Sequence, residues 1–282
     1  MIPPDPATRT TPPASPAEPA WPPGPAAPRL AAREVHVWRA PLDLPEETAL
    51  RYAQTLGPEE RARAAGCRLP VQRARFVAAH GALRAVLARY TGQSPAELCL
   101  GRSERGRPHL AEDPAARPAV PVLDFNLSHA GGLALIAVTR TGRVGVDLEE
   151  VRADLDHRAM ADRFLGPADA ALVHGLPPEA ARHAFFTRWT WREAYAKAAD
   201  VPVPRLLPPP AGPATGTAPT PFAGGWKLIN LPLGNGYCAT VAAAGSCAPP
   251  RRWTLTQEGD RRTPPTRSVR SGRGRKEPHA HA

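Results

Sequence analysis

Hydrophobic residues change repeatedly between strand-like and helix-like spacing within residues 33–246. Short or alternating apolar runs predict strands at 34–38, 98–100, 123–127, 133–139, 143–149, 226–231 and 237–244. Helical spacing predicts helices that begin after Pro45 and near Pro58 and that span 71–90, 156–165, 167–174 and 178–199. The Thr141-Gly142 pair between two of the strands predicts a β-hairpin. The mixture of strands and long helices predicts an α+β or α/β fold.

Three segments lack any such periodicity. Residues 1–32 are dominated by proline and alanine, residues 202–221 contain eight prolines, and residues 247–282 are rich in arginine, proline and glycine. Proline lacks a backbone donor and fixes φ, so such segments cannot build a packed core. We predict two disordered tails, 1–32 and 247–282, and an irregular insert at 202–221. The core between the tails is divided into two predicted halves, 33–142 and 143–246.

Charge and cysteine content narrow the class of protein. The net charge of the 282 residues is +10, and residues 251–282 hold nine lysines and arginines against three acids. The smaller excess on the core suits anionic ligands or acidic partners. The four cysteines have no metal-ligand spacing, which indicates reduced thiols in a cytoplasmic protein. Neither a signal-peptide core nor an apolar run of membrane-spanning length is found, so no membrane association is expected.

Two pairs of charged side chains each share one face of a predicted element, the first on a strand and the second on a helix. Asp147 and Glu149 lie two apart on a predicted strand and therefore point to the same side, where a pair of hard oxygen ligands suits Mg²⁺. A solvent-facing strand end is the alternative, and it is the commoner reading of an isolated pair. Glu193 and Lys197 lie four apart on a predicted helix, on the face that also carries Trp189. An ordinary surface ion pair is the alternative there.

Further candidates lie next to glycine or on basic segments. Ser128-His129 precedes Gly131-Gly132, a turn that lets a phosphate approach the backbone. A serine hydrolase would need a GxSxG elbow, which is absent, and a buried structural histidine stays an alternative. Arg75 and Arg107 could each clamp a phosphate or be solvated surface residues. The basic tail has no aromatic interleaving beyond Trp253, which disfavours nucleic acid as a partner.

The motifs taken together, in their order along the chain, are more specific to one protein family than any single motif is. Residues 125–132 (FNLSHAGG), 145–149 (GVDLE) and 189–198 (WTWREAYAKA) resemble the 4′-phosphopantetheinyl transferases of the surfactin-synthetase-activating (Sfp/EntD) type. Residues 73–80 look like the first long helix of that family. Residues 105–108 (RGRP) look like its G-K-P turn with arginine in place of lysine. The resemblance covers about residues 33–245.

This resemblance implies a pseudo-dimer of two similar subdomains in one chain, with the active site between them. It implies a holo-[acyl-carrier-protein] synthase that moves the phosphopantetheine arm of coenzyme A to a serine of an acidic apo acyl or peptidyl carrier protein, with Mg²⁺, releasing 3′,5′-ADP. Such proteins of this length are usually monomers. By similarity, the metal ligands are Asp147, Glu149 and Glu193, the catalytic residues are Glu193 as base and Lys197, and the coenzyme A contacts are Arg63, Arg75, Arg107, Pro108, Ser128, His129 and Lys197.

Several departures and two other functions stay open. Arg192 and Arg107 each replace a lysine of the family pattern. Residues 199–204 and the proline-rich insert stand where the family often has a Gly-containing segment, and the two tails have no counterpart in the family. The same carboxylates could serve a Mg²⁺-dependent phosphohydrolase or nuclease, in which water attacks. A coenzyme A-binding protein without turnover, with a basic nucleic-acid-binding tail, is the non-enzymatic alternative. The carrier protein and its pathway, whether polyketide, nonribosomal peptide or fatty acid, do not follow from the sequence.

Overall fold

The computed structural model describes residues 21–111, 123–203, 220–234, 236–245 and 248–256. Ten strands and six helices lie in these ranges, with one short 3₁₀ turn at Ala223–Gly225. In chain order they are β1 (Val35–Pro41), α1 (Glu46–Thr55), α2 (Pro58–Ala65), α3 (Pro70–Thr91), β2 (Leu100–Arg102), β3 (Pro108–Leu110), β4 (Asp124–Ala130), β5 (Leu133–Thr139), β6 (Val144–Glu150), α4 (His157–Phe164), α5 (Pro167–His174), α6 (Pro178–Ala199), β7 (Thr220–Phe222), β8 (Trp226–Asn230), β9 (Tyr237–Ala244) and β10 (Arg251–Thr254).

The strands form two four-stranded sheets and a small hairpin. The first sheet has the order β10-β1-β5-β4, and the second has the order β6-β9-β8-β7. β2 and β3 pair only with each other among the described strands. All neighbours are antiparallel except β1 and β10, which run parallel. Each sheet therefore belongs to one of two subdomains in a mixed fold, as predicted.

The two sheets face each other, and each has a long helix on its outer face. β5 illustrates the layering, because Leu135 and Ala137 pack against the second sheet while Ile136 and Val138 pack toward α3. A strand buried on both faces reads as a continuous apolar run, which matches LALIAV. α3 covers the first sheet and α6 covers the second, and each helix has 22 residues. The order of layers is therefore helix, sheet, sheet, helix.

Local sequence sets the ends of the two long helices. Both begin at a proline, whose missing N–H would be unsatisfied in the first turn in any case. α3 ends at Gly92 and α6 ends at Asp200, with φ of 74° and 56°. This left-handed conformation stops a helix, and glycine or a short polar residue adopts it most readily.

The predicted hairpin at Thr141-Gly142 is wrong. β5 pairs on its two edges with β1 and β4, so it has no free edge for β6, which pairs with β9. The chain turns at Gly142 but changes sheet there. The two-residue hairpin loop is instead Gly131-Gly132, between β4 and β5, where Gly131 has a φ of 53°. A positive φ suits glycine, which explains this loop.

The predicted disorder of the tails is wrong for the parts nearest the core. Trp21 is 6% exposed and its Nε1 donates to the Pro232 carbonyl at 2.9 Å. β10 lies within the predicted basic tail and pairs with β1, and Gly24 bonds to Thr254. Burial of a large aromatic ring offsets the ordering of a few residues, which composition alone does not reveal. Residues 1–20 and 257–282 lie outside the described residues, as does most of the predicted insert, whose last two residues, Thr220 and Pro221, begin β7.

Within the described residues, no helix is both long and apolar enough to cross a lipid bilayer.

A buried histidine in β1 predicts a pH-dependent stability. His36 is 0% exposed, and burial lowers its pKa to about 4 from 6.5. The unfolded chain takes up the proton first, so this stability is present above pH 6.5 and is lost as the pH falls toward 4. We expect wild type to lose about 2 kcal/mol of unfolding free energy between pH 7 and pH 5 through this group. Urea denaturation at both pH values should show a smaller loss in His36→Gln. His174→Gln, at an exposed histidine, should keep the wild-type loss, and equal losses in all three proteins would contradict the assignment.

Candidate active site

A glycine lets α6 lie directly on the strand that carries the predicted metal ligands. A Cβ atom at Gly145 would stand 2.1 Å from the Ala194 carbonyl oxygen and 2.6 Å from the Ala198 nitrogen. Only a residue without a side chain permits this approach. Gly145, Asp147 and Glu149 share one face of β6, so the same contact brings the two carboxylates toward α6. Val144, Val146 and Leu148 point the other way, into the core between the sheets, as predicted.

Lys197 of α6 meets Asp147 of β6 and Ser128 of β4. Its Nζ lies 2.5 Å from Asp147 Oδ1 and 3.2 Å from Ser128 Oγ. The Ser128 hydroxyl donates to Asp147 Oδ1 at 3.1 Å and accepts from the Leu148 amide at 3.2 Å. Asp147 is 3% exposed and Ser128 is 7% exposed. Three of the predicted site residues are thus in direct contact. They come from β4 of the first sheet, β6 of the second sheet and α6.

Two more carboxylates lie beside this contact. Burial and the charge of Asp147 raise the pKa of Glu149 to about 7, although the Trp189 indole donates to its Oε1 at 3.0 Å. Burial raises the pKa of Glu193 as well, with Asp147 adding to the effect and Lys197 opposing it. Carboxylates whose charge is unfavourable in this way attract a cation or a proton.

The carboxylates have the donor chemistry for a divalent cation. Asp147 Oδ2 is buried and has no hydrogen-bond partner among the described residues. A buried carboxylate oxygen without a partner is unfavourable unless a cation or water meets it. In the described part of the chain, no group of three or more His, Cys, Asp or Glu side chains is arranged to hold a metal ion, so the predicted ligands Asp147, Glu149 and Glu193 do not form a three-carboxylate site there. Mg²⁺ commonly takes only one or two carboxylates and completes its shell with water and substrate phosphates, so the carboxylates fit this ion.

Positive side chains surround His129, at the end of β4. Desolvation, and then the nearby His80, Lys197 and Arg63, lower the pKa of His129, which is nevertheless exposed. The Arg63 guanidinium lies 5.3 Å from the centre of the Phe76 ring, and Phe76 stacks on His80 at 4.1 Å. The structure therefore brings two predicted coenzyme A contacts, Arg63 and His129, into one region of positive charge with Lys197.

The other two predicted arginines are engaged with the protein. Arg75 forms a bidentate pair with Asp43, at 2.9 and 3.2 Å. Arg107 is 8% exposed and donates to Asp124 at 2.7 Å and to the Lys197 carbonyl. Their roles as phosphate contacts stay predictions.

A cavity of about 470 Å³ opens beside the site. Pro108, a predicted nucleotide contact, lines it together with Arg105, Leu127, Glu193 and Lys197. Pro108 also borders a second cavity of about 510 Å³ lined by Glu60, His80 and Arg84. Although burial opposes it, hydrogen bonds from His80, the Gly57 amide and Arg84 lower the pKa of Glu60 to about 2, so a stable anion anchors α2 to α3. Pro108 of β3 thus belongs to the linings of both cavities.

Sequence reasoning missed several supporting side chains. Trp189 was placed on the correct helix face, but its hydrogen bond to Glu149 was not foreseen. Arg192, which replaces a lysine of the family pattern, is 1% exposed and pairs with Asp169 of α5. Asp124 and Asn126 were not singled out, although they alternate with Ser128 along β4 and so share its face. That alternation is the signal that could have found them.

Comparisons with known proteins point to one family. A family model described as the 4′-phosphopantetheinyl transferase superfamily matches residues 143–218, and one described as 4′-phosphopantetheinyl transferase, N-terminal, matches residues 45–141. The 4′-phosphopantetheinyl transferase HetI of Nostoc sp. is 38% identical over 230 residues, which cover 79% of this chain and 93% of HetI. The 4′-phosphopantetheinyl transferase of Bacillus subtilis is 28% identical over 118 residues, 42% of this chain and 48% of that protein. AcpT of Salmonella typhi is 32% identical over 103 residues, 36% of this chain and 54% of AcpT.

The resemblance drawn from the motifs is thereby confirmed. The two family models cover β4, β6 and α6, which meet at Asp147, and the match to HetI extends over nearly the whole relative. The chain belongs to the 4′-phosphopantetheinyl transferase superfamily and is an enzyme of that class.

Proposed function

We propose that this enzyme transfers the 4′-phosphopantetheine arm of coenzyme A to a serine of an acyl or peptidyl carrier protein and releases 3′,5′-ADP. Mg²⁺ would be held by carboxylates of the set Asp147, Glu149 and Glu193 together with substrate phosphate oxygens. The observation that carries the proposal is the buried, unpartnered Asp147 Oδ2 beside two carboxylates of raised pKa and a region of positive charge. Such a site suits a substrate that brings both a pyrophosphate and a divalent cation.

The positive side chains account for binding of the coenzyme A phosphates. The cations Arg63 and Lys197 both lie near His129, whose imidazole can donate a hydrogen bond, and this combination favours a multiply charged anion. We assign Lys197 to the pyrophosphate, because its Nζ contacts Asp147 and Ser128 and therefore lies where the cation and the pyrophosphate would bind in this proposal. In this proposal Pro108 lines the nucleotide side of the cavity, and Ser128 contributes to nucleotide binding from its contact with Lys197.

The reaction is a direct transfer. The serine oxygen of the carrier forms a bond to the phosphorus that bears the pantetheine arm, and the bond from that phosphorus to the oxygen of 3′,5′-ADP breaks. Glu193 takes the proton of the serine hydroxyl as general base. Lys197 stabilises negative charge on the pyrophosphate oxygens. Bound Mg²⁺ supplies further charge neutralisation at these oxygens.

Intact mass spectrometry tests the proposed function. We expect an apo carrier protein incubated with the enzyme, coenzyme A and Mg²⁺ to gain about 340 Da, the mass of one phosphopantetheine arm on a serine. The gain should vanish when the carrier serine is replaced by alanine or when EDTA removes the cation. Coenzyme A cleaved at equal rate without any carrier would instead support the hydrolase alternative.

A further inference from the structure

The two sheets are joined at one edge by side chains and not by a backbone ladder. β4 and β6 run side by side, and alternate side chains of β4 accept hydrogen bonds from alternate amides of β6. The acceptors Asp124 Oδ2, Asn126 Oδ1 and Ser128 Oγ bind the amides of Val144, Val146 and Leu148 at 2.8, 2.9 and 3.2 Å. Since β6 uses its other edge for β9, these side chains satisfy donors that an edge strand would leave open.

Arg107 completes this junction from the β2–β3 hairpin. Its Nη2 donates to Asp124 Oδ2 at 2.7 Å, to the Val144 carbonyl at 2.8 Å and to the Phe125 carbonyl at 3.2 Å. Asp124 in turn accepts from the Val144 amide. The ion pair of Arg107 and Asp124 thus binds both backbone polar groups of the first residue of β6.

The same guanidinium reaches α6. Its Nη1 donates to the carbonyl of Lys197, which lies in the last turn of the helix. Carbonyls of a last helical turn lack intrahelical donors, so an arginine there fixes the helix end. One buried side chain therefore connects the beginning of the strand that carries Asp147 with the turn that carries Lys197.

We propose that Arg107 and Asp124 are positioning residues that hold β6 and the carboxyl end of α6 in register across the two subdomains, and that Arg107 is not a phosphate ligand. The proposal rests on the proposed function for its kinetic consequences. A phosphate bound by Arg107 would have to replace Asp124 and backbone acceptors in a site where the arginine is 8% exposed. Breaking a buried ion pair to bind a ligand is unfavourable.

Asp124→Asn separates the two roles of Arg107. If Arg107 positions the site, the variant should lower kcat roughly tenfold or more, because a charge-assisted hydrogen bond is lost at the start of β6, while the KM for coenzyme A changes by about twofold at most. If Arg107 binds phosphate, freeing its charge should leave kcat unchanged and leave or lower this KM. Unchanged kcat would overturn the proposal.

Arg107→Gln gives the second test. Positioning predicts a fall in kcat that is not additive with that of Asp124→Asn, since both variants break one junction. A phosphate ligand predicts a rise of roughly tenfold in the KM for coenzyme A with kcat kept, and this result would also overturn the proposal. Asp162→Asn is the matched control, because Asp162 belongs to an exposed ion pair with His174 on α4 and α5.

Amide hydrogen exchange tests the junction without any activity. Exchange at Val144 should rise about tenfold in Asp124→Asn and stay unchanged in Asp162→Asn. Unaltered exchange at Val144 in Asp124→Asn would overturn the positioning role. If wild type modifies no carrier at all, the proposed function fails, and exchange together with calorimetric binding of coenzyme A still decides the role of Arg107.

Discussion

Glu193→Gln should lower kcat for carrier modification by about 10²- to 10⁴-fold, the range typical of losing a general base. The substituted amide cannot take the serine proton, and it carries no charge for a cation. Because burial and Asp147 disfavour the glutamate charge in the fold, the neutral variant should be at least as stable as wild type near neutral pH. Holo-carrier formation and thermal denaturation measure the two effects separately.

The control lies on the same helix. Glu179 is exposed in the first turn of α6, far along the helix from the carboxyl end, and Glu179→Gln makes the same chemical change there. We expect Glu179→Gln to keep the wild-type kcat and to lose less than about 1 kcal/mol of unfolding free energy, because its interaction with the helix dipole is weaker. If Glu193→Gln retained the rate of Glu179→Gln, Glu193 would be neither base nor metal ligand.

Gly145→Ala should cost both stability and activity. The added methyl group would stand 2.1 Å from the Ala194 carbonyl oxygen, and backbone at this distance must move. Overpacking of this kind costs about 1–3 kcal/mol or more. Displacing α6 by about 1 Å also moves Glu193 and Lys197 from Asp147, and such a misplacement can reduce the rate about 100-fold.

Gly175→Ala is the matched control for this substitution. Gly175 follows α5 with a φ of −74°, and a Cβ there would lie 3.5 Å from the Ala171 carbonyl oxygen, an ordinary contact. This variant should keep wild-type kcat and melting temperature. Wild-type behaviour of Gly145→Ala would contradict the account of how α6 reaches β6.

The sequence alone predicts which side chains share one face of a strand or of a helix. The period of a strand places Asp147 and Glu149 together, and the period of a helix places Glu193 with Lys197, because these geometries are local. The order of the motifs then indicated the family. These parts needed no knowledge of how the elements pack.

Contacts between elements could not be predicted in the same way. Arg75 pairs with Asp43, 32 residues away, and Arg107 pairs with Asp124, 17 residues away, so their engagement depends on the tertiary fold. The partner of β6 was misassigned because a glycine turn permits a hairpin but does not require one. One residue in each chain end could have indicated that part of the end is ordered. Trp21 is the sole Phe, Trp or Tyr residue of segment 1–32, and Trp253 is the sole one of segment 247–282.

The stoichiometry of one reaction tests the central claim most directly. Holo carrier protein and 3′,5′-ADP would be quantified together, at several times, in a single mixture of enzyme, coenzyme A, Mg²⁺ and apo carrier. Direct transfer predicts that one 3′,5′-ADP is released for each holo carrier formed, and that none is released without the carrier. Release of 3′,5′-ADP in excess of holo carrier would contradict the account, because water and not the carrier serine would then be the main acceptor.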